Sequence, residues 1–292
     1  MNRLGVIAAF LSAAICAGPV CASTFVEVTK TCPVGGGKFK FPEQMSSTSW
    51  GTLPDGMTLG TGPNPYRLPQ CPKNGLVMYR DFDRATIARL APIIASAEYQ
   101  SARVTETPYY LAYWLATKLG DEDRAWLLLA AGWEAKNADP VSPRALRYAD
   151  EFVTLVATMP VNDRAFESIA LRARAANALR ERGHFAAAEA LRASIKIAPD
   201  AGGTAANAVD NRTGWTTFLA SLAAPIARED TSRAPIDMIG EREAAARCVE
   251  PEEKPNPSRL AAAPLSAFEQ SYCARPELAE SIAQIRKWRR NE

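Results

Sequence analysis

Apolar residues recur with a helical period from Asp83 to about Ala198, and this pattern predicts most of the fold. The spacing of three and four residues places each apolar stripe on one face of an α-helix. Very short links separate the segments, which is typical of antiparallel helical hairpins that stack side by side. Six segments are predicted, and they begin near Asp83, Thr107, Asp121, Ser142, Asp163 and His184.

Helix-starting residues support these boundaries. Asp83 and Asp163 are of a type that caps a helix N-terminus, because a side-chain oxygen accepts from a main-chain N–H of the first turn. The Thr107-Pro108 and Ser142-Pro143 pairs add a proline at the first helical position, where its missing N–H costs nothing. Gly120 follows the last apolar residue of the second segment and is expected to end it.

The unit at residues 175–199 comes closest to a known repeat. It reads AANALRERGHFAAAEALRASIKIAP and resembles a tetratricopeptide repeat, in which small residues let paired helices approach and a glycine permits the tight turn. The matching positions are Ala176, Leu179, Gly183, Phe185, Ala188 and Pro199. We therefore expect a mainly α fold of stacked, tetratricopeptide-like hairpins over residues 81–200.

The regions on either side of these hairpins read differently. Residues 23–80 are rich in turn-forming residues and hold three short strand candidates, so they predict a small β-ribbon module. Residues 201–292 predict a helical extension interrupted by a Pro-rich loop. The strand candidates are Phe25–Val28, Lys38–Phe41 and Leu76–Tyr79, and the C-terminal helices are expected at 215–226, 241–247, 265–272 and from Pro276 onward.

Residues 1–22 have the features of a signal peptide. Arg3 provides a positive start, Leu4–Ile15 an apolar run, and Val20-Cys21-Ala22 the small residues of a cleavage site. The alternative is a membrane anchor, but the run is too short to span about 30 Å of hydrocarbon. We expect cleavage after Ala22, a periplasmic or secreted protein, and no stable membrane insertion after cleavage.

The charge of the chain is close to balanced. It has 34 basic and 32 acidic side chains, and the predicted cleavage removes one basic residue, Arg3. Because the positive and negative charges almost cancel, electrostatics give no reason to expect nucleic acid or an anionic membrane as a partner. We therefore expect a partner in the cell envelope that is a protein or peptide.

The cysteines predict disulfide bonds. Of six cysteines, Cys16 and Cys21 lie in the predicted signal peptide. Four remain, Cys32, Cys71, Cys248 and Cys273, and four cysteines allow three connectivities. An even number suits an oxidising compartment. The pairs Cys32–Cys71 and Cys248–Cys273 are favoured, because each pair brackets one Pro-rich, loop-like segment.

Two cysteine knuckles and the helix after them resemble a bacterial family. The knuckles read CPVGG from Cys32 and CPKNG from Cys71, and IARLAPIIASAEYQ follows. This arrangement is similar to the domain of unknown function numbered 2225, which couples two Cys-x-x-Cys knuckles to tetratricopeptide-like helices. The resemblance extends along this chain to about Ala198. Gly35 and Asn74 stand where that family has its second cysteines.

That departure removes the zinc site which the family pattern would imply. A structural zinc site needs four ligands, and two thiolates cannot complete it. We therefore expect that a Cys32–Cys71 disulfide has replaced the metal, and that the protein has no metal and no cofactor. The resemblance implies a fold and no function.

Few residues indicate catalysis. His184 is the only histidine, and it lies in the turn of a hairpin. The paired carboxylates of a glycoside hydrolase are the alternative that stays open. The candidates are Asp81, Asp83, Glu98 and Glu106, although Asp83 fits an N-cap and Glu106 a first-turn charge.

Aromatic and basic clusters are the remaining candidates for binding. The aromatic residues Tyr109, Tyr110, Tyr113, Trp114, Trp126 and Trp133 fall in two adjacent helices. Their helical spacing favours a core role, and a peptide- or glycan-binding groove is the alternative. The cations Arg286, Lys287, Arg289 and Arg290 around Trp288 suit a helix C-terminus or a tail that docks a partner.

The leading hypothesis is an exported, non-catalytic binding or scaffold protein whose helical repeats hold a protein or peptide partner. Tyr109, Tyr113, Trp114, Trp126 and Trp133 are its candidate contact residues, and no catalytic residue is assigned. The competing hypothesis is a periplasmic cell-wall hydrolase that uses paired carboxylates. A structural accessory protein of the envelope is a third possibility.

Overall fold

The computed structural model describes residues 23–252 and 263–290, so the predicted signal peptide lies outside the described residues. Its strands are β1 Thr24–Thr31, β2 Lys38–Ser46, β3 Ser49–Thr52 and β4 Thr58–Gly60. Its helices are α1 Arg84–Ala95, α2 Ala97–Thr105, α3 Pro108–Leu119, α4 Arg124–Ala138, α5 Pro143–Thr158, α6 Phe166–Glu181, α7 Phe185–Ser194, α8 Ala208–Ala227, α9 Glu241–Val249, α10 Ala267–Cys273 and α11 Ala279–Arg290.

The N-terminal module consists of two antiparallel hairpins. Strand β1 pairs with β2 from Thr31 opposite Lys38 to Thr24 opposite Ser46, and β3 pairs with β4. The predicted third strand at Leu76–Tyr79 is wrong, because this segment contributes only an isolated bridge between Val77 and Gln70. Cys71 N donates to the carbonyl of Leu76 and Met78 N to that of Pro69, so the segment pairs only briefly with the chain just before the knuckle turn.

Helices α3 to α8 pack in chain order, each against the next. This arrangement, together with the small β module, confirms the predicted mainly α architecture of stacked antiparallel hairpins. One helix was missed. Residues 97–105 form a separate helix, α2, because the Ser96 side chain accepts from Tyr99 N and starts a new helical turn after α1.

Three of the predicted N-caps are confirmed. The side chains of Asp83, Thr107 and Ser142 each accept from a main-chain N–H in the first turn of α1, α3 and α5. Asp163 was wrong as the cap of α6, which begins at Phe166. The carbonyl of Asp163 instead accepts from Ala198 N at 2.9 Å, and this contact holds the start of α6 to the segment after α7.

The third predicted segment begins later than expected. Asp121 was predicted to start it, but α4 begins at Arg124. The carboxylate of Asp121 is used elsewhere: it accepts from Arg80 at 2.9 and 3.0 Å and from the Tyr79 hydroxyl, both in the N-terminal region. A long-range ion pair therefore takes the place of a local cap.

The C-terminal helices also differ in their limits. Helix α8 starts at Ala208, earlier than the predicted Trp215, and continues two residues beyond Pro225. The final helical segment opens as a short 3-10 turn at Pro276–Leu278 before α11. Within residues 23–252 and 263–290, no helix has both the length and the apolarity that crossing a bilayer requires.

Three of the five apolar cores in the described part of the chain position the sites discussed below. One lies within the α3–α6 stack and includes Leu128, Tyr148 and Phe152. A second joins the knuckles to α1–α3, with both cysteines of the first disulfide in it. A third links α9 to α11 around Cys248. The module at 23–80 and the helices after it therefore share buried surface.

Candidate functional site

The two predicted cysteine pairs lie at disulfide distance. Cys32 is bonded to Cys71 and Cys248 to Cys273, each with Cα atoms 5.6 Å apart. Both members of the first pair are buried. Two disulfides are typical of proteins from oxidising compartments.

The two knuckles face each other. Asn74, at a position where the family has a cysteine, donates from its side-chain amide to the carbonyl of Val34 in the other knuckle at 2.9 Å. Its Oδ1 accepts from Leu76 N at 3.0 Å. A disulfide and an amide contact thus join the knuckles. Among the described residues, no group of three or more histidine, cysteine or acidic side chains is placed to hold a metal ion.

The predicted aromatic residues do not share one surface. Tyr109, Tyr113, Trp126 and Trp133 pack on the core of the α3–α6 stack, together with Tyr110. Trp114 lies on the core that contains the knuckles, where its ring is 5.6 Å from that of Tyr99. Each ring is half-buried, so most of this set supports the cores.

Two of these rings, Tyr110 and Tyr113, line an open groove between α3 and α5. We call it the tyrosine groove. Its volume is about 850 Å³, within the size range of binding sites for ligands and short peptides. Its other lining residues are Pro143, Leu146, Arg147, Asp150, Glu151, Thr154, Leu155 and Thr158.

Stacking and ion pairs fix the tyrosine groove. The ring of Tyr110 stacks on that of Tyr148 with centroids 4.4 Å apart. Arg147 lies over both rings, at 4.8 and 4.9 Å, and bonds Glu106 at 2.7 Å and Glu151 at 2.9 Å. Cation–π contact and charge-assisted hydrogen bonds together hold these side chains in one arrangement. These contacts within the protein therefore fix the shape of the groove.

Three of the four predicted carboxylate candidates are engaged in structural contacts. Asp83 caps α1 through Thr86 N at 2.7 Å. Glu106 accepts from Arg147 and from the Tyr148 hydroxyl at 2.6 Å. Glu98 lies 3.8 Å from Lys118. These contacts explain the conformations of the three side chains without a catalytic role.

Glu134 is an acidic residue that sequence reasoning did not select. Burial raises the pKa of its carboxyl above the ordinary value. Its Oε2 accepts from Tyr109 N at 2.8 Å, in the first turn of α3. An acidic group at a helix N-terminus is stabilised by the main-chain dipoles, so Glu134 fits a helix-capping role.

A buried charged cluster, also not anticipated, joins the β module to the helices. Asp55, at the tip of the β3–β4 hairpin, is only 2% exposed. Its Oδ2 lies 2.6 Å from Lys136 Nζ on α4 and 3.1 Å from Arg233 Nε. Lys136 also bonds Glu181 at 3.0 Å. We call these four residues the Asp55 cluster.

Electrostatics keep the cluster charged. Burial by itself raises the pKa of Asp55, but the charges of Lys136 and Arg233 outweigh burial and lower that pKa to about 2. Burial by itself lowers the pKa of Lys136, but the charges of Glu181 and Asp55 outweigh burial. The pKa of Lys136 is therefore raised above its ordinary value. A buried charge is tolerated when it is paired and hydrogen-bonded, as here.

Neighbouring donors hold the hairpin tip from the helical side. Trp133 Nε1 donates to the carbonyl of Asp55 at 3.1 Å, and Arg174 Nη1 donates to that of Pro54 at 2.7 Å. The turn Pro54-Asp55-Gly56 is visible in the sequence, but its partners lie far along the chain. One of the predicted contact residues, Trp133, is thus occupied by the protein's own hairpin.

Comparison with protein-family models, with curated proteins and with solved structures finds no match to this chain. The resemblance of the knuckles to the domain of unknown function numbered 2225 stays a prediction. The fold and the sites described above rest on this chain's own geometry.

Proposed function

We propose that this protein is an exported, non-catalytic scaffold that holds a peptide segment of a cell-envelope protein in the tyrosine groove. The observation that supports the proposal is the groove itself, because it combines exposed parts of two tyrosine rings with fixed charges on stacked helical hairpins. Helical-repeat proteins present such surfaces to extended or helical peptides.

The lining suggests the chemistry of the partner. Tyr113, Leu146 and Leu155 offer apolar contact at the base of the groove. Asp150 and Glu151 line the groove, and Arg147 bonds Glu106 as well as Glu151. Asp150 is paired with Arg182 at 2.8 Å, so three carboxylates face two guanidinium groups. A segment with apolar side chains and at least one lysine or arginine is therefore the complementary partner.

The location in the proposal rests on separate observations. The two disulfides support an oxidising compartment. The predicted signal peptide at residues 1–22 remains an expectation from sequence. N-terminal sequencing of the protein from a periplasmic fraction checks this part, and we expect Ser23 as the first residue.

Site-directed photo-crosslinking tests the groove. A benzoylphenylalanine placed at Thr154, which is exposed on the groove rim, should crosslink a segment of one partner, and the same group at Val161, which is 66% exposed outside the groove, should not. A synthetic peptide with the crosslinked sequence should then bind the purified protein. Tyr113→Ala with Leu155→Ala should weaken that binding at least tenfold, whereas Val161→Ala leaves it unchanged.

Two results would contradict the proposal. One is equal crosslinking from Thr154 and Val161. The other is peptide binding that Tyr113→Ala with Leu155→Ala does not weaken, although circular dichroism shows an intact fold. The hydrolase hypothesis predicts turnover of peptidoglycan fragments, which Glu106→Gln would abolish; the same protein preparations serve for that assay.

A further inference from the structure

A second cavity lies away from the tyrosine groove, between the β3–β4 hairpin and the C-terminal helices α9 and α11. We call it the tryptophan pocket. Its volume is about 600 Å³, a size typical of pockets that bind small molecules or short peptide segments. The residues that matter for its chemistry are Trp50, Leu59, Arg242, Ile285, Trp288 and Arg289.

Two indole rings border this pocket without being covered. Trp50 on β3 is 40% exposed and Trp288 on α11 is 58% exposed. Tryptophan buries more apolar surface than almost any other residue when it is covered, and it is common at the centre of binding surfaces. Two partly exposed indoles at one cavity therefore provide a large apolar area for a ligand.

Trp288 continues an apolar stripe that begins in the core. Leu278 and Ile282 on this stripe are buried in the C-terminal core, and Ile285 packs against it. Trp288 comes three residues after Ile285 and continues the stripe, but its side chain lies beyond the core and lines the pocket. Elsewhere on α11 this helical spacing places apolar side chains in the core, whereas it places the Trp288 side chain beside a cavity.

The charges around the pocket favour an anionic ligand. Arg242 lies over the Trp50 ring at 5.5 Å, and Arg289 lines the opposite wall. The last turn of α11 adds Lys287 and Arg290. The acidic lining residue, Glu243, is in the first turn of α9, where the helix dipole favours its charge.

The helical wall is firmly held. The Cys248–Cys273 disulfide joins α9 to α10, and Arg247 on α9 bonds Glu269 on α10 at 2.8 Å. The Ser281 hydroxyl of α11 bonds Glu241 of α9. A wall that is fixed in advance loses less conformational freedom when a ligand binds.

We propose that the tryptophan pocket binds an acidic peptide segment that carries an aromatic or large apolar side chain. The apolar side chain packs between Trp50 and Trp288, and a carboxylate pairs with Arg242. Guanidinium groups bind carboxylates in a bidentate manner, and a stacked guanidinium remains able to do so. This ligand differs in charge from the partner proposed for the tyrosine groove.

Two fluorescein-labelled peptides test this proposal with the full mature protein. One alternates aspartate with phenylalanine, and the other alternates lysine with phenylalanine. Anisotropy should show binding of the acidic peptide that weakens as salt rises, and at least tenfold weaker binding of the basic peptide. Trp288→Ala and Arg242→Glu should each weaken binding of the acidic peptide at least tenfold.

Matched controls separate this site from the tyrosine groove and from misfolding. Tyr113→Ala and Val161→Ala should leave binding of the acidic peptide unchanged. Trp288→Phe keeps a ring and should retain most of the binding, while far-UV circular dichroism verifies the fold of each variant.

Four outcomes would overturn the proposal. The first is the absence of binding by the acidic peptide. The second is binding that Trp288→Ala does not change, and the third is equal binding of both peptides. Binding of a chitin-type oligosaccharide in place of the acidic peptide, with loss in Trp288→Ala, would also overturn it and would assign the pocket to sugars.

Discussion

The carboxylate of Asp55 lies 2.6 Å from the ammonium group of Lys136, although 81 positions separate the two residues along the chain. Arg233, 178 positions from Asp55, contacts the same Oδ2 from the other side at 3.1 Å. One hairpin tip thereby brings together the β module, helix α4 and the segment after α8.

Replacement of Asp55 by asparagine should destabilise the protein by about 3 kcal/mol, because it leaves the buried charges of Lys136 and Arg233 without their shared partner. Urea unfolding followed by circular dichroism measures the change. Asp200→Asn is the matched control, since Asp200 is 63% exposed and lies 3.5 Å from Arg164. That surface pair should contribute at most about 1 kcal/mol, and equal effects of the two substitutions would contradict the role of Asp55.

The Asp55 cluster also predicts a dependence of stability on pH. The pKa of Asp55 is about 2 in the folded protein, below its ordinary value of 3.8. The stabilisation is therefore complete above pH 3.8 and is lost as the pH falls towards 2. The difference in pKa corresponds to about 2 kcal/mol.

Unfolding curves at pH 5 and at pH 2 provide the measurement for this pH dependence. The wild-type protein should lose about 2 kcal/mol more than Asp55→Asn over this interval. Other acidic groups titrate in both proteins, so only the difference between them reports on Asp55. Parallel losses in the two proteins would show that Asp55 is not responsible.

The paired knuckles should depend on one covalent bond and one amide contact. Cys32→Ser with Cys71→Ser opens a loop with a sequence separation of 39 residues, and the chain-entropy model predicts a loss of about 4 kcal/mol. Asn74→Ala removes the contact with Val34 and should cost about 1–2 kcal/mol.

Thermal unfolding of the oxidised proteins checks both knuckle values. Addition of Zn²⁺ should not restore the stability of the reduced wild-type protein, because Cys32 and Cys71 supply only two of the four ligands that a structural zinc site needs. Recovery with Zn²⁺ would contradict the view that a disulfide stands in for a metal.

The second disulfide should act locally on the tryptophan pocket. Cys248→Ser with Cys273→Ser opens a loop with a sequence separation of 25 residues, with an expected loss of about 3–4 kcal/mol. Amide hydrogen exchange should become faster in α9 and α11, whose contact is part of the same small core. Exchange in α4 to α6 should remain slow, and an equal increase there would contradict a local role.

Local patterns were sufficient for much of the fold. Asp83, Thr107-Pro108 and Ser142-Pro143 marked helix starts correctly, because an N-cap contact forms within three residues of the cap. Asp163 and Asp121 carried the same type of signal and were wrong. Their main-chain or side-chain oxygens accept from distant residues, and no local pattern records such a competitor.

The candidate sites depended more strongly on tertiary contacts. Tyr113 lines the tyrosine groove, while Trp133 and Trp114 contact other parts of the chain. Trp50 was not anticipated, because a single tryptophan in a short strand has no distinguishing pattern. Its importance arises only from Trp288, which approaches the same cavity from the last helix.

The sequence by itself determined the helical hairpins, the short β module and the cysteine pairs, because periodicity, turn residues and spacing act over short distances along the chain. Only the tertiary structure decided which side chains meet around Asp55, which tyrosines line a groove and which tryptophans border a pocket. These arrangements depend on how the hairpins and the β module pack. Packing brings together residues that are far apart in the sequence, and no local sequence pattern indicates such contacts.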